Sequence, residues 1–184
     1  EIPNVMTCSH NSKSYTITVP ALDSYYLDQI ICKDCFEEVH FLLKTFGKHS
    51  GVSKEITESF SAYHHLKKSF EFAEKRNRQV LHISPGDGSR GLSGAMMVLL
   101  TKSYSVSIDP NIRLDLLEKW QNKFNIKRFD AFKATWQEST NSIQRIYDYL
   151  TTLGEVDVLV SSVHAHIDLE LFLKSLPKWD KCYS

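Results

Sequence analysis

No stretch of the chain stays apolar for the ~20 residues that a membrane-spanning helix requires. Its start, Glu1-Ile2-Pro3, has neither the basic region nor the apolar core of a secretory signal. A membrane is therefore not an expected partner, and a cytoplasmic location is expected. Net charge is missing as well: Lys plus Arg and Asp plus Glu number 22 each, so bulk charge points to no polyanionic partner. Cysteine is scarce and uneven, with Cys8, Cys32 and Cys35 in the first fifth and Cys182 near the end. That distribution argues against a disulfide framework and for metal binding or free thiols. The sequence holds no internal repeat, no low-complexity tract and no Gly-x-x-x-x-Gly-Lys-Ser/Thr, so a phosphate-cradling NTPase loop is not expected. An initiator Met is also missing, which raises the expectation of a chain processed from a larger protein.

What is present is enough for one sizeable core and a small extra module: 184 residues, 42% of them hydrophobic. The organising stretch runs from Val80 to Pro110. An apolar run, Val80-Leu81-His82-Ile83, stops at Ser84-Pro85-Gly86-Asp87-Gly88, and a helical pattern follows through Leu92, Ala95, Met96, Leu99 and Leu100. A second run, Ser105-Val106-Ser107-Ile108, then closes on Asp109. This is the pattern of a βαβ unit with room for a ligand at the carboxyl end of its first strand. Glycines there let backbone N–H groups approach a ligand, and the helix N-terminus adds partial positive charge. Asp109, about twenty residues past the glycines, is placed to accept hydrogen bonds from a ribose diol.

The stretch resembles the first two motifs of the class I S-adenosylmethionine-dependent methyltransferases, whose pattern is apolar-apolar-acidic-apolar-Gly-x-Gly-x-Gly with a second acidic residue after the next strand. Gly86, Gly88 and Asp109 stand where that family has them; His82 takes the first acidic position and Ser84 the first glycine position. The resemblance implies an α/β fold with a Rossmann-like, mostly parallel sheet and flanking helices over residues 51–184. It implies S-adenosylmethionine as cofactor, held by His82, Ser84, Gly86, Gly88, Asp109 and, near the adenine, Asp130. A nicotinamide fingerprint can be laid over Gly86 to Gly91 as well, but Asp87 would then repel a pyrophosphate, which favours a cationic ligand without phosphate.

Residues 1–50 read as a separate unit. Cys8-Ser9-His10 comes first, then the alternating Tyr15 to Val19, a second extended piece from Tyr25 to Ile31, and Cys32-Lys33-Asp34-Cys35. A helix follows with Phe36, Val39, Leu42, Leu43 and Phe46 on one face. This order of knuckle, hairpin and Cys-x-x-Cys entering a helix resembles a zinc-ribbon or treble-clef module. The resemblance implies Zn2+ on Cys8, His10, Cys32 and Cys35, with His40 a rival fourth ligand. Metal would supply the stability that so small a core lacks. Three free thiols and an exposed histidine are the plainer alternative.

A long helix is expected over 53–78, its apolar pattern running through Ile56, Phe60, Tyr63, Leu66, Phe70 and Phe72 or Ala73. His64, His65, Lys67, Lys68, Lys75, Arg76 and Arg78, interleaved with aromatics, suit an RNA contact, although Glu71 and Glu74 equally suit a solvated face. Further elements are expected as a helix over 111–124, a strand over 127–133, a helix over 139–153, a strand over 156–164 and a helix from 168 to 176. The family's sheet has seven strands and only four can be placed here, which leaves an edge for another segment or a protein partner to cover.

At the fourth strand, where the family's reacting methyl group lies, Ser161-Ser162-Val163-His164 replaces the Asn/Asp-Pro-Pro-aromatic motif of amino-methylating enzymes. No Lys-Asp-Lys-Glu set can be assembled, and no cysteine nucleophile lies near the strand ends. His164, with His166 beside it, is the candidate base or substrate contact. The expectation is a methyltransferase acting on RNA, plausibly a cap, in a processed or viral protein of the host cytoplasm. The alternatives are a methyltransferase-like domain that has lost catalysis and serves binding or assembly, and an interaction fragment built around the zinc unit.

Overall fold

The computed structural model describes residues 4–10, 13–19, 35–46, 52–163 and 169–176. At the start, β1 (Asn4–His10) pairs antiparallel with β2 (Lys13–Val19), with Cys8 opposite Tyr15 and His10 opposite Lys13. Cys8-Ser9-His10, expected as a knuckle ahead of the hairpin, is therefore the end of its first strand. The β-compatible Val5, Met6 and Thr7 carry the extended backbone up to it. The extended piece at 25–31 and Cys32 lie outside the described residues.

Helix α1 (Phe36–Phe46) opens on Glu37 and Glu38 and closes with Lys44, which suits the helix dipole at both ends. Its Val39 and Leu42 are each 1% exposed and share a core with Ile56, Phe60, Leu117 and Trp120. The helix grouped by sequence with the first fifty residues thus packs on the α/β core. Helix α2 (Val52–Lys75) runs into a turn at Asn77, whose φ of 53° is the left-handed conformation that Asn tolerates.

From there strands and helices alternate: β3 (Gln79–Pro85), α3 (Leu92–Leu100), β4 (Tyr104–Ile108), α4 (Leu114–Phe124), β5 (Phe129–Phe132), α5 (Trp136–Thr151), β6 (Val156–Val160) and α6 (Leu169–Ser175). The four strands β3 to β6 form one parallel sheet in the order β5-β4-β3-β6, as the βαβ reading expects. The chain moves outward from β3 to β5 and then returns to lay β6 on the other side of β3. Among the described residues β6 pairs only with β3. In open α/β sheets such a reversal leaves a crevice at the carboxyl ends of the strands where it occurs.

The two faces of the sheet differ in chemistry. Under α5 and α6, Leu81, Ile83, Val106, Ile108 and Val158 meet Ile143, Leu150 and Phe172 in an aliphatic layer. Each such side chain contributes about 1.5–3 kcal/mol when fully buried. Under α2 and α3 the strands instead present His82, Ser84, Ser105 and Ser107, all completely buried, with Ser59 of α2 and Ser93 of α3 facing them from the helices.

Two helix starts differ from expectation. Helix α4 begins at Leu114 because Asp109 to Ile112 form a turn, in which the Ile112 N–H donates to the Asp109 carbonyl at 3.2 Å. Helix α5 begins at Trp136, ahead of Ser139, because Thr135 and Glu138 form a reciprocal capping box. The Thr135 N–H donates to Glu138 Oε2 at 2.8 Å, and the Glu138 N–H to Thr135 Oγ1 at 3.4 Å.

Candidate functional site

The turn after β3 is built on two left-handed glycines, Gly86 (φ 66°) and Gly88 (φ 69°), a conformation that costs other residues about 1–2 kcal/mol. The N–H groups of Gly86 and Asp87 donate to the Ile108 carbonyl at 2.7 and 3.2 Å, which pins the turn to the end of β4. There Asp109 begins its own contacts. Its Oδ2 accepts the Gly88 N–H at 3.1 Å and its Oδ1 the Asn111 N–H at 2.7 Å. The glycine turn and Asp109, 21 residues past Gly88, therefore meet at the carboxyl ends of β3 and β4. Asp109 is half-exposed, and a carboxylate has about four acceptor positions, so it keeps capacity for an outside donor. A Cβ on Gly88 would meet no atom within 4 Å, so open space lies beside that backbone.

Asp87, between the two glycines, turns inward. Its Oδ1 accepts the Ser93 N–H at 3.0 Å, and its Oδ2 accepts the Gly94 N–H at 2.9 Å and the Ser107 hydroxyl at 2.6 Å. Burial pushes the carboxyl above its usual range, against the pull of these hydrogen bonds. Sequence assigns the α3 N-terminus to a ligand; in the structure the chain's own carboxylate fills it. At the other end of α3, Arg128 donates to the carbonyls of Ser103 (2.8 Å), Thr101 (3.1 Å) and Val98 (3.3 Å). An anion at the N-terminus and a cation at the C-terminus complement the dipole of a helix buried along most of its length. Sequence alone does not mark Asp87 and Ser107 as a pair. The only trace is the alternation Ser105-Val106-Ser107-Ile108, which ordinarily marks a strand with one wet face.

His82 lies in the middle of β3 and is fully buried. One ring nitrogen, Nδ1, is 2.7 Å from Ser105 Oγ on β4, and Nε2 is 2.8 Å from Ser161 Oγ just past β6. Burial holds its imidazole down to about 3, so the ring is neutral and can donate from one nitrogen while accepting at the other. At the position where the family has an acidic residue, this side chain is occupied by two serines. Ser84 is buried two residues on, opposite Ser107 in the register, and its hydroxyl has no hydrogen-bond partner among the described residues.

Asp130 stands apart from these residues. The register sets it beside Val106 rather than at the strand ends, and its Oδ2 accepts the Tyr104 hydroxyl at 2.6 Å. Burial, and after it this hydrogen bond, raises the phenol's pKa. His164 lies outside the described residues. Of the expected zinc ligands, Cys8 and His10 sit on β1, Cys35 is half-buried just before α1, and Cys32 is not among the described residues. Among the described residues no group of three or more His, Cys, Asp or Glu is arranged to hold a metal ion. His40 faces a cleft between α1 and α4, where burial and then Lys44 lower its pKa.

The basic residues of α2 are exposed but do not act as one face. Lys67 pairs with Glu71 at 3.8 Å and Lys102 with Glu74 at 2.5 Å, while Arg78, past the helix, bonds Glu155 and Asp157. The first two pairs, with Arg78, rim a cleft of about 370 Å3 between α2 and α3 at the amino end of β3, the opposite end from the glycine turn. No helix among the described residues is long and apolar enough to cross a membrane. Compared with known proteins, the chain matches no family model, no curated protein and no solved structure.

Proposed function

We propose that the chain is an S-adenosylmethionine-binding domain of methyltransferase type that grips its ligand mainly by the nucleoside. The observation that carries this reading is the meeting of Asp109 and Gly88: an acidic acceptor for a ribose diol stands 3.1 Å from the amide of a glycine with open space beside it. The nucleoside half of the cofactor fits these residues. The aminobutyrate half finds no acidic side chain on β3, because His82 is buried between serines, and no free helix N-terminus, because Asp87 fills it. Bound S-adenosylmethionine would bring an electrophilic methyl group on a sulfonium, and the chain's part is to hold and align it.

A second reading, a domain that binds the ligand and transfers nothing, is favoured by the same buried His82. Calorimetric titration with S-adenosylmethionine, S-adenosylhomocysteine and methylthioadenosine separates the possibilities. Expected is binding of all three within about tenfold of one another (~1.4 kcal/mol,), lost in Asp109→Ala. No binding of any of them by the folded chain would overturn the reading. Binding without transfer of a labelled methyl group to single-stranded RNA would select the second.

A further inference from the structure

The structure divides the basic residues of α2 into two sets that sequence cannot separate. On one stripe Lys67 and Glu74 are held in ion pairs with Glu71 and Lys102. On another, Lys68 and Phe72 stand one above the other on the helix, with Ser69 beside them, and Arg76, four residues on in the turn just past α2, lies against Phe72. Phe72 is 53% exposed, a large apolar area to leave in water, and the Arg76 guanidinium lies 4.0 Å from its ring centroid. Together with Leu159 and Asp157 of β6 these residues line a groove of about 490 Å3. Its single carboxylate, Asp157, bonds Arg78 at 2.8 Å, which Glu155 shares, and against it stand two cations, so Lys68 and Arg76 leave the lining net positive.

We propose that this groove binds a single-stranded nucleic acid, with a base stacked on Phe72 and flanking phosphates held by Lys68 and Arg76. An exposed aromatic ring bracketed by cations meets both halves of a nucleotide. The ring offers its face to any base, a guanidinium already stacked on it extends that platform, and the cations follow the backbone without reading sequence. An acidic peptide would use the cations but has no flat face to lay on Phe72. The groove is also well separated from the glycine turn. Glu55, which bonds Arg90 of that turn, and Phe72 are 17 positions apart on α2, about 25 Å of helix. The groove therefore holds the body of a strand at a distance from the Asp109 end. The proposal gives the acceptor class for the methyltransferase reading and needs that reading only for the transfer step.

The test is fluorescence anisotropy with labelled ten-nucleotide oligouridylate and oligodeoxythymidylate, without S-adenosylmethionine, in a salt series. Expected is binding that weakens with salt and falls about tenfold or more in Phe72→Ala and in the double variant Lys68→Glu/Arg76→Glu, but not in Lys102→Glu on the paired stripe. All four positions are on the surface, and circular dichroism verifies the fold of each variant. Stronger binding of the ribo-oligomer names RNA as the ligand; equal binding names either strand. The proposal is overturned by failure of both oligomers to bind, by affinity unchanged in the stripe variants, or by displacement of the oligomer by an equal concentration of a glutamate decapeptide. Asp109→Ala should leave oligomer binding intact, so loss of cofactor binding and loss of nucleic-acid binding are read separately.

Discussion

Asp87 Oδ2 lies 2.6 Å from the hydroxyl oxygen of Ser107, twenty residues away, while the same carboxylate accepts two amides at the start of α3. One side chain thereby joins the turn after β3, the strand β4 and the helix between them.

Removal of that carboxylate is expected to be costly. Asp87→Ala leaves the Ser93 and Gly94 amides buried without their acceptor and the Ser107 hydroxyl with its longer bond to the Gly91 carbonyl at 3.3 Å. The expected loss is ~2–4 kcal/mol, from unsatisfied buried donors at ~1–3 kcal/mol each with partial relaxation. Asp87→Asn retains one carbonyl acceptor and should lose about half as much. Urea unfolding of the three proteins is the check; a wild-type midpoint in Asp87→Ala would refute the capping role.

The buried histidine predicts acid sensitivity. In the unfolded chain His82 titrates near the ordinary histidine value of ~6.5, and in the folded protein burial holds it to about 3. Between those values the unfolded state binds the additional proton. Stability from this group is therefore complete above the unfolded value and lost as pH falls toward the folded one, at up to about 1.4 kcal/mol per pH unit. Urea midpoints at pH 7.0 and 5.5 should show the slope. His82→Gln, less stable at pH 7, should lack this component, and an equal slope in both proteins would assign the effect to other groups.

Two glycines are expected to fail in different ways. A Cβ on Gly94 would stand 2.1 Å from Ser107 Oγ and 3.0 Å from a Phe129 ring carbon. Gly94→Ala must push α3 off β4 or turn Ser107 away from Asp87. The expected cost is ~2–4 kcal/mol despite the gain of up to ~1 kcal/mol in helix propensity. Gly88→Ala meets no neighbour and costs only ~1–2 kcal/mol for its positive φ. It nevertheless places a methyl group where the ligand should approach, so its nucleoside affinity should fall at least tenfold. Thermal melts and cofactor titrations of both variants should show opposite orders of damage.

The alternation of strands and helices from β3 to α6 was readable because each element carries its own period, and because Gly86, Gly88 and Asp109 keep a recognisable spacing. The role of Asp87 was not readable: its acceptor partners are amides, which have no letter, and Ser107 is a residue type usually left at the surface. The serines of β4, in an alternation that ordinarily marks a wet strand face, are buried, since the histidine and aspartate they serve lie on other elements. Thr135 and Glu138 did carry the signature of a capping box, three residues apart ahead of an apolar pattern, and the start of α5 could have been taken from it. The placement of Asp130 was not readable for a geometric reason. A residue's number does not say how far along its strand the neighbouring strand ends, and the register sets it beside Val106.

The line from Ser105 through His82 to Ser161 also has a consequence for alignment. Aliphatic side chains on parallel strands can exchange neighbours when a strand slides by two residues, because the same face stays buried. A two-residue slide of β6 along β3 would put Leu159 in the place of Ser161 at an imidazole nitrogen and leave a buried polar group without its partner, whereas β4 carries serines at 103, 105 and 107 and would present another hydroxyl. The histidine thus acts as a ratchet pin between β3 and β6, penalising a near-native slip that an aliphatic pair would tolerate. The acid sensitivity of the fold and the alignment of β6 on β3 then have one origin.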